Sequence, residues 1–444
     1  MKNFLTLATC ASLMVSAAAA QNPRPSVQID DPLASVSPDG SNGSGISLRT
    51  DGDLWVAAWT DERGASTSND DVWMNVSTDA GHTWNGEFRA VDASTFSLDV
   101  DDPFTEVDSG TIYCSYDDYD SVAAISRAYV TWSDDNGTTW NSTMYPGDVD
   151  NPKVYVDGSN ILVLAINGAG SVNELYADWS TTGPAGLSGT FTAISNVGAD
   201  VDFGGYDCDM EGSTAHITWV DDFNFATMDD QWYTTLDLTT GNLGLYEQVN
   251  TTVFDVDFFT SYDCISQIVV TGGRAHFSWH ADTVPGATSA SNDIVFYRNR
   301  DLTSGAWGAE MNVTGLAEDT TMYHMNAEGD NVMIGFERHA ATGDQEPFLW
   351  VSSDGGATFT EHDLDMVDES GTNIKDVENI ACYMDGEMLF MFACDDSMTP
   401  GSSWDRQPVF WWSNDNGATM SGPVQLGGPF EIDEDADPQP RSYY

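Results

Sequence analysis

The apolar residues of this chain fall in short runs, such as Val72-Trp73-Met74-Asn75-Val76, Leu389-Phe390-Met391-Phe392 and Val409-Phe410-Trp411-Trp412, with essentially no helical spacing between them. Runs of this length, alternating or rich in aromatic and branched side chains, predict strands, and pairs such as Asp157-Gly158 and Asp385-Gly386 predict the tight turns that join them. The chain is expected to be all-β. Four of the strands are followed by one eight-residue phrase, at Ser77 to Trp84 (STDAGHTW), Ser133 to Trp140 (SDDNGTTW), Ser352 to Phe359 (SSDGGATF) and Ser413 to Met420 (SNDNGATM). Its chemistry suits a turn: the Asp can accept from backbone N–H groups ahead of it, the Gly supplies a positive φ, and the last residue re-enters a strand.

The phrase resembles the Asp box, or bacterial neuraminidase repeat, of sialidase-like β-propellers. Asp79 and Asp135 are 56 residues apart and Asp354 and Asp415 are 61 apart, the length of one four-stranded blade with its loops. The 219 residues between Asp135 and Asp354 hold three more repeats at that period, with decayed boxes at Trp179 to Gly183, Asp237 to Gly241 and Asp301 to Trp307. A second repeat is in phase with the first, an acidic phrase that opens each blade: Asp99 to Asp102, Asp148 to Asn151, Asp200 to Asp202, Asp255 to Asp257, Glu318-Asp319, Asp376 to Glu378 and Asp433 to Asp437. The expected fold is a seven-bladed β-propeller of four-stranded antiparallel blades, at about 30–95, 96–147, 148–199, 200–254, 255–316, 317–375 and 376–437, in one domain over 21–444, with one terminus completing the ring by strand exchange. Sialidases typically have six blades, which is the alternative count.

Residues 1–20 have Lys2, an apolar stretch and Ala17 to Ala20, the pattern of a secretory signal, so a secreted or periplasmic protein is expected. No later run approaches the ~20 apolar residues of a membrane helix. Lys plus Arg number 14 against 71 Asp plus Glu, a formal charge of −57. That excess argues against nucleic acid and anionic membranes as partners and fits a protein adapted to salty water, with cation binding as the alternative. A monomer is expected. Cys208 and Cys264 occupy matching phrases, Gly205 to Cys208 and Ser261 to Cys264, and read equally as an inter-blade disulfide or as two small buried residues.

In a propeller the loops leaving the second strands and entering the first strands share one face, and the boxes fall on the other, where they serve the fold. The second strands end at Asp61-Glu62-Arg63, Tyr116-Asp117-Asp118, Asn167, Asp221-Asp222, His280-Ala281-Asp282, Glu337-Arg338-His339 and Asp395-Asp396. With the blade-opening phrases these gather carboxylates at one mouth. Asp102, Asp150, Asp202 and Asp257 are candidate ligands for Ca²⁺, which takes 6 to 8 oxygens; the alternative is that each Asp bonds its own loop. The resemblance to sialidases implies an arginine triad on the substrate carboxylate, an Asp acid and a Tyr nucleophile assisted by a Glu. Arg63 matches one such arginine, and Asp70 or Asp71 lies near the acid. The phrase that normally carries the first arginine falls on Ser44 to Leu48, which has none, and Arg127, Arg274 and Arg338 are candidates for the others.

Two functions follow. One is a propeller that binds an extracellular glycan or glycoprotein on its acidic mouth. The other is a glycoside hydrolase with Asp70 or Asp71 as acid, Glu62 or Glu337 as its partner, and Arg63, Arg338, His280, His339 and Asp282 on the sugar. Trp219, Trp279, Phe336 and Trp404 lie near the second-strand ends and are either sugar platforms or blade packing.

Overall fold

A computed structural model describes residues 47–61, 71–86, 88–89, 98–120, 125–167, 173–195, 200–225, 228–251, 256, 266–282, 293–314, 320, 323–339, 345–364, 377–395 and 407–425. They form seven antiparallel sheets in which strands pair in chain order, each a blade of four strands, and the fold is a seven-bladed β-propeller. Blade 4 adds a short fifth strand, Glu247–Gln248, on its third. Among the described residues the only helix is a three-residue 3₁₀ turn, Pro184–Gly186. Residues that would close a ring lie outside the described segments.

The chain makes two compact units. Blades 1 to 3 belong to the first and blades 4 to 7 to the second. Within the first, one face of blade 1 (Val56, Val72, Met74, Val76) packs against Ile112, Cys114 and Tyr116 of blade 2. In the second, Val220 and Tyr233 of blade 4 meet Phe277 and Trp279 of blade 5, Tyr297 of blade 5 meets Tyr323 and Ile334 of blade 6, and Leu349 of blade 6 meets Met391 and Trp411 of blade 7. Burying both faces of a blade explains why its strands read as apolar runs and not as strict alternation.

Each of the four eight-residue phrases follows a third strand and closes on itself in the same way. The Ser hydroxyl donates to the Asp carboxylate and accepts from the Gly N–H, while the Thr N–H and hydroxyl both donate to that carboxylate, as in Ser352, Asp354, Gly356 and Thr358 at 2.6–3.0 Å. These bonds hold the Asp354 carboxyl down at about 2, the Thr358 hydroxyl contributing most. The three loops of weaker resemblance also follow third strands, Glu174–Ser180, Met228–Asp237 and Asp293–Asp301. In blade 5 the anchor is Asp301, which accepts from Thr303 N, Ser304 N and the Ser304 hydroxyl.

Neighbouring blades are latched through their first strands. A side chain on one first strand accepts a backbone N–H from the next: Ser47 from Thr105, Asp207 from Ile268, Gln267 from Met325 and His324 from Cys382, at 2.7–3.2 Å. A second set lies towards the hairpin turns, where Asp209 accepts from Val270, Thr271 from Gly329 and Glu328 from Gly386. The acidic phrases precede a register shift in the first strands of blades 2, 4 and 7, and Asp150 lies beside one in blade 3. Val149, Val201, Val256 and Val377 at the centre of these phrases are buried. Cys208 is a free, buried thiol whose Sγ lies 3.6 Å from the Asp209 carbonyl, and Cys264, its expected counterpart, lies outside the described residues.

Candidate functional site

The strand ends of blades 2 and 3 carry the best-defined group of polar residues. The second strand of blade 2, Thr111–Asp120, ends Tyr116-Asp117-Asp118-Tyr119-Asp120, and alternation divides these residues between its two faces. Tyr116 and Asp118 lie on the face towards blade 1, opposite Tyr129 and Arg127 of the third strand, Ile125–Ser133. The two tyrosine rings stack at 5.2 Å with 4° between planes. Burial raises the Tyr129 phenol, with the neighbouring Asp118 carboxylate adding to the rise and Arg127 opposing it.

Asp117 and Tyr119 lie on the other face, towards blade 3, with Tyr119 opposite Ser126. The Ser126 N–H donates to Asp148 Oδ1 at 3.0 Å, and the Ser126 side chain acts on the Asp150 carboxyl as a stabilising neighbour. Burial raises the Asp150 carboxyl, and the Asp148 charge raises it further against the lowering by Ser126. Tyr119 is 42% exposed, whereas Tyr116 is 6% exposed. Its open ring therefore stands beside Asp117, Ser126 and the blade-opening aspartates.

Blade 3 contributes a second arrangement where its second strand, Asn160–Asn167, ends and its third begins. The Tyr176 hydroxyl donates to Glu174 Oε2 at 2.9 Å and accepts from Asn167 Nδ2 at 3.2 Å. Burial raises this phenol as well, Asn167 lowering it and Glu174 raising it. A phenol held between an amide donor and a carboxylate has a defined proton acceptor, the arrangement that a nucleophile or a general base requires. The signal was in the sequence as Glu174-x-Tyr176, two residues apart on one side of a strand and opposite Asn167.

In the second unit, the residues at the strand ends are mostly occupied inside their blades. Asp221 Oδ2 accepts from Trp219 Nε1 at 2.5 Å, and both residues are fully buried. His280 is buried, with its ring 4.6 Å from that of Tyr323, and burial lowers its imidazole to about 3. Glu337 is buried and accepts from Gln345 Nε2 at 3.4 Å. The Arg338 guanidinium lies 3.8 Å from the centre of the Phe348 ring and pairs with Glu361 at 3.0 Å, on the fourth strand of its own blade. Arg274 opens a second strand at the hairpin end and pairs with Asp330. Trp219, Trp279 and Phe336 are fully buried packing residues.

Glu62, Arg63, Asp70, Asp257 and Trp404 lie outside the described residues. So do the side chains of Asp71, Asp102, Asp202, Asp282 and His339, whose backbones lie in strands. Of the four proposed calcium ligands only the Asp150 side chain is therefore placed, and no group of three or more His, Cys, Asp or Glu able to hold a metal occurs among the described residues.

No protein-family model and no curated protein matches this chain. Among solved structures, the polysaccharide lyase Uly1 is similar over 89% of this chain and 94% of its own, with 12% identity and a TM-score of 0.50. A PL25 ulvan lyase is similar over 91% of this chain and 95% of its own at 11% identity and a TM-score of 0.48. The NanB sialidase from Streptococcus pneumoniae is similar over 78% of this chain and 72% of its own at 9% identity and a TM-score of 0.42. At these identities the likeness concerns the fold, and Uly1 carries it.

Proposed function

We propose that this chain is an exported propeller that binds an extracellular glycan, free or carried on a glycoprotein, at the strand ends of blades 2 and 3. The observation that carries this reading is Tyr119, an aromatic ring left open at a second-strand end, whereas Tyr116 of the same strand is buried, as are Trp219, Trp279 and Phe336 at the positions matching Tyr116 in blades 4 to 6. The apolar face of a sugar ring can lie on such a phenol while its hydroxyls bond the neighbouring Asp117 and Ser126 and the blade-opening Asp148 and Asp150. The shared fold with a polysaccharide lyase accords with a carbohydrate ligand. Calcium held by the blade-opening aspartates belongs to the same reading as a means of bridging acidic sugars to an acidic surface.

A second reading, a glycoside hydrolase of sialidase-like type, is favoured by the Tyr176 hydroxyl on Glu174. Here Tyr176 attacks the anomeric carbon as Glu174 takes its proton, the glycosyl–tyrosine bond replacing the glycosidic bond as an acid protonates the leaving oxygen. Asp70 and Asp71 are the candidate acids, with Arg63 on the sugar.

A glycan array followed by titration of the best ligand, with fluorogenic glycosides in parallel, separates the readings. Binding is expected to weaken at least about tenfold in Tyr119→Ala, the size of a lost stacking contact. Unchanged affinity in that variant, or no glycan bound at any salt concentration, overturns the binding reading. Turnover that Tyr176→Phe abolishes with affinity retained establishes the hydrolase instead.

A further inference from the structure

The second strand of blade 5, Arg274–Asp282, has two unlike faces. Phe277, Trp279 and Ala281 pack against blade 4. His276, Ser278 and His280 alternate with them and face blade 6, among Tyr297, Tyr323, Ile334 and Phe336. All three are buried, at 0%, 0% and 6% exposure, and each has one side-chain atom without a hydrogen-bond partner: His276 Nε2, Ser278 Oγ and His280 Nε2. A polar stripe of this kind in an apolar seam needs an explanation, because buried hydrogen-bonding groups are costly unless paired.

Blade 4 provides an internal comparison. Its second strand, Thr214–Phe225, presents His216, Thr218 and Val220 to blade 5 at the positions of His276, Ser278 and His280. The histidines behave alike, with His216 Nδ1 2.8 Å from Tyr233 Oη and His276 Nδ1 2.7 Å from Tyr297 Oη. The next position differs. Thr218 Oγ1 donates to the Trp232 carbonyl at 2.8 Å and accepts from Gln231 Nε2 at 3.1 Å, and the same amide donates to Ser266 Oγ at 2.7 Å. In the seam between blades 5 and 6, Gln231 is replaced by Val295, opposite His280, and Ser266 by Tyr323. The amide that tied the first seam is gone, and an imidazole stands where Val220 stood.

We infer that the seam between blades 5 and 6 holds a buried water-binding site formed by Ser278 Oγ and His280 Nε2 and walled by Tyr323. Ser278 and His280 are two residues apart on one face of a strand, about 7 Å between Cα atoms, a gap that one water can bridge. Tyr323 is within reach of both, with its ring 4.6 Å from that of His280 and its hydroxyl 3.0 Å from the Ser278 carbonyl, to which it donates. Ser278 Oγ and His280 Nε2 give the water two partners, within the two to four that buried waters typically have. The water does for this seam what Gln231 does for the one before it.

Ser278→Ala tests this by the sign of its effect. If Ser278 Oγ is dry, removing it relieves an unpaired buried group, and Tm stays or rises. If it holds a water, the variant strips that water of a ligand, and Tm falls by about 2 °C. A fall supports the site; no change or a rise overturns it. A crystal structure of the unaltered protein is the second test, expected to show solvent density within about 3.2 Å of both Ser278 Oγ and His280 Nε2. An empty map there overturns the proposal whatever the variant does.

Discussion

The residue before the glycine distinguishes four turns that are otherwise bonded alike. It is Asn136, Gly355 and Asn416 in three of them and Ala80 in the fourth, and all four are left-handed, with φ of 56°, 70°, 54° and 57°. Glycine adopts this region freely and asparagine tolerates it, whereas the Cβ of alanine meets a carbonyl oxygen at a cost of roughly 1–2 kcal/mol. Ala80→Asn is therefore expected to stabilise the protein by about 0.5–1 kcal/mol, read as a higher midpoint in urea with an unchanged m-value. An unchanged or lower midpoint would mean that this turn carries no strain for asparagine to relieve. The glycine that follows was legible in sequence, but the second left-handed position was not, since alanine carries no signal of it. Tyr119 was obscured for a related reason: whether a ring is buried or open depends on how far the neighbouring blade extends, which local alternation does not report. Tyr176 and Glu174 were not singled out in the sequence, because their pairing depends on the strand register that sets both opposite the end of the second strand.

At the scale of the element, the first strands bind one blade to the next through side chains that accept backbone N–H groups, and Asp207 is the clearest case. One carboxylate oxygen accepts from Cys208 N at 2.8 Å in its own strand, the other from Ile268 N at 3.0 Å in blade 5, and the residue is fully buried. Asp207→Ala would leave both donors buried and unpaired, and is expected to cost about 2–4 kcal/mol in chemical denaturation. Asp207→Asn retains an acceptor for one donor and should cost less. Equal losses in the two variants would refute the latch, because they would tie the effect to the charge and not to the bonds. The strands themselves could be read from their apolar runs and turns because those patterns are local. The latches could not: Ser47, Asp207, Gln267 and His324 share a position but no chemistry, and only the offset of about one blade relates them.

Across the whole chain, the blade count was legible because two periodic signals, the turn phrases and the acidic blade openings, ran in phase. The acid response follows from groups that the count does not reveal. Burial lowers His216 to about 4 and His276 and His280 to about 3, with Arg300 adding to the first and Arg274 to the second. The unfolded chain binds a proton at each near pH 6.5 and the folded chain does not, so below that pH the unfolded state gains by about 1.4 kcal/mol per pH unit for each histidine. This loss of stability starts near 6.5 and runs down to the folded values. The turn carboxylates Asp79, Asp135, Asp301, Asp354 and Asp415 are held below the ordinary value, so their contribution is intact above about pH 4 and is lost only below it. Two effects run the other way. Asp108 and Asp150 are raised by burial and favour the folded state as they take protons, and acid also relieves the repulsion of a chain with a formal charge of −57. About 1 M salt, where screening acts over ~3 Å, suppresses the repulsion and leaves the buried groups to act. Under those conditions Tm is expected to fall between about pH 7 and pH 4.5, and His276→Gln should flatten the fall by removing one of the three protons. A fall equally steep in that variant would show that His276 is not among the groups that the unfolded chain protonates first.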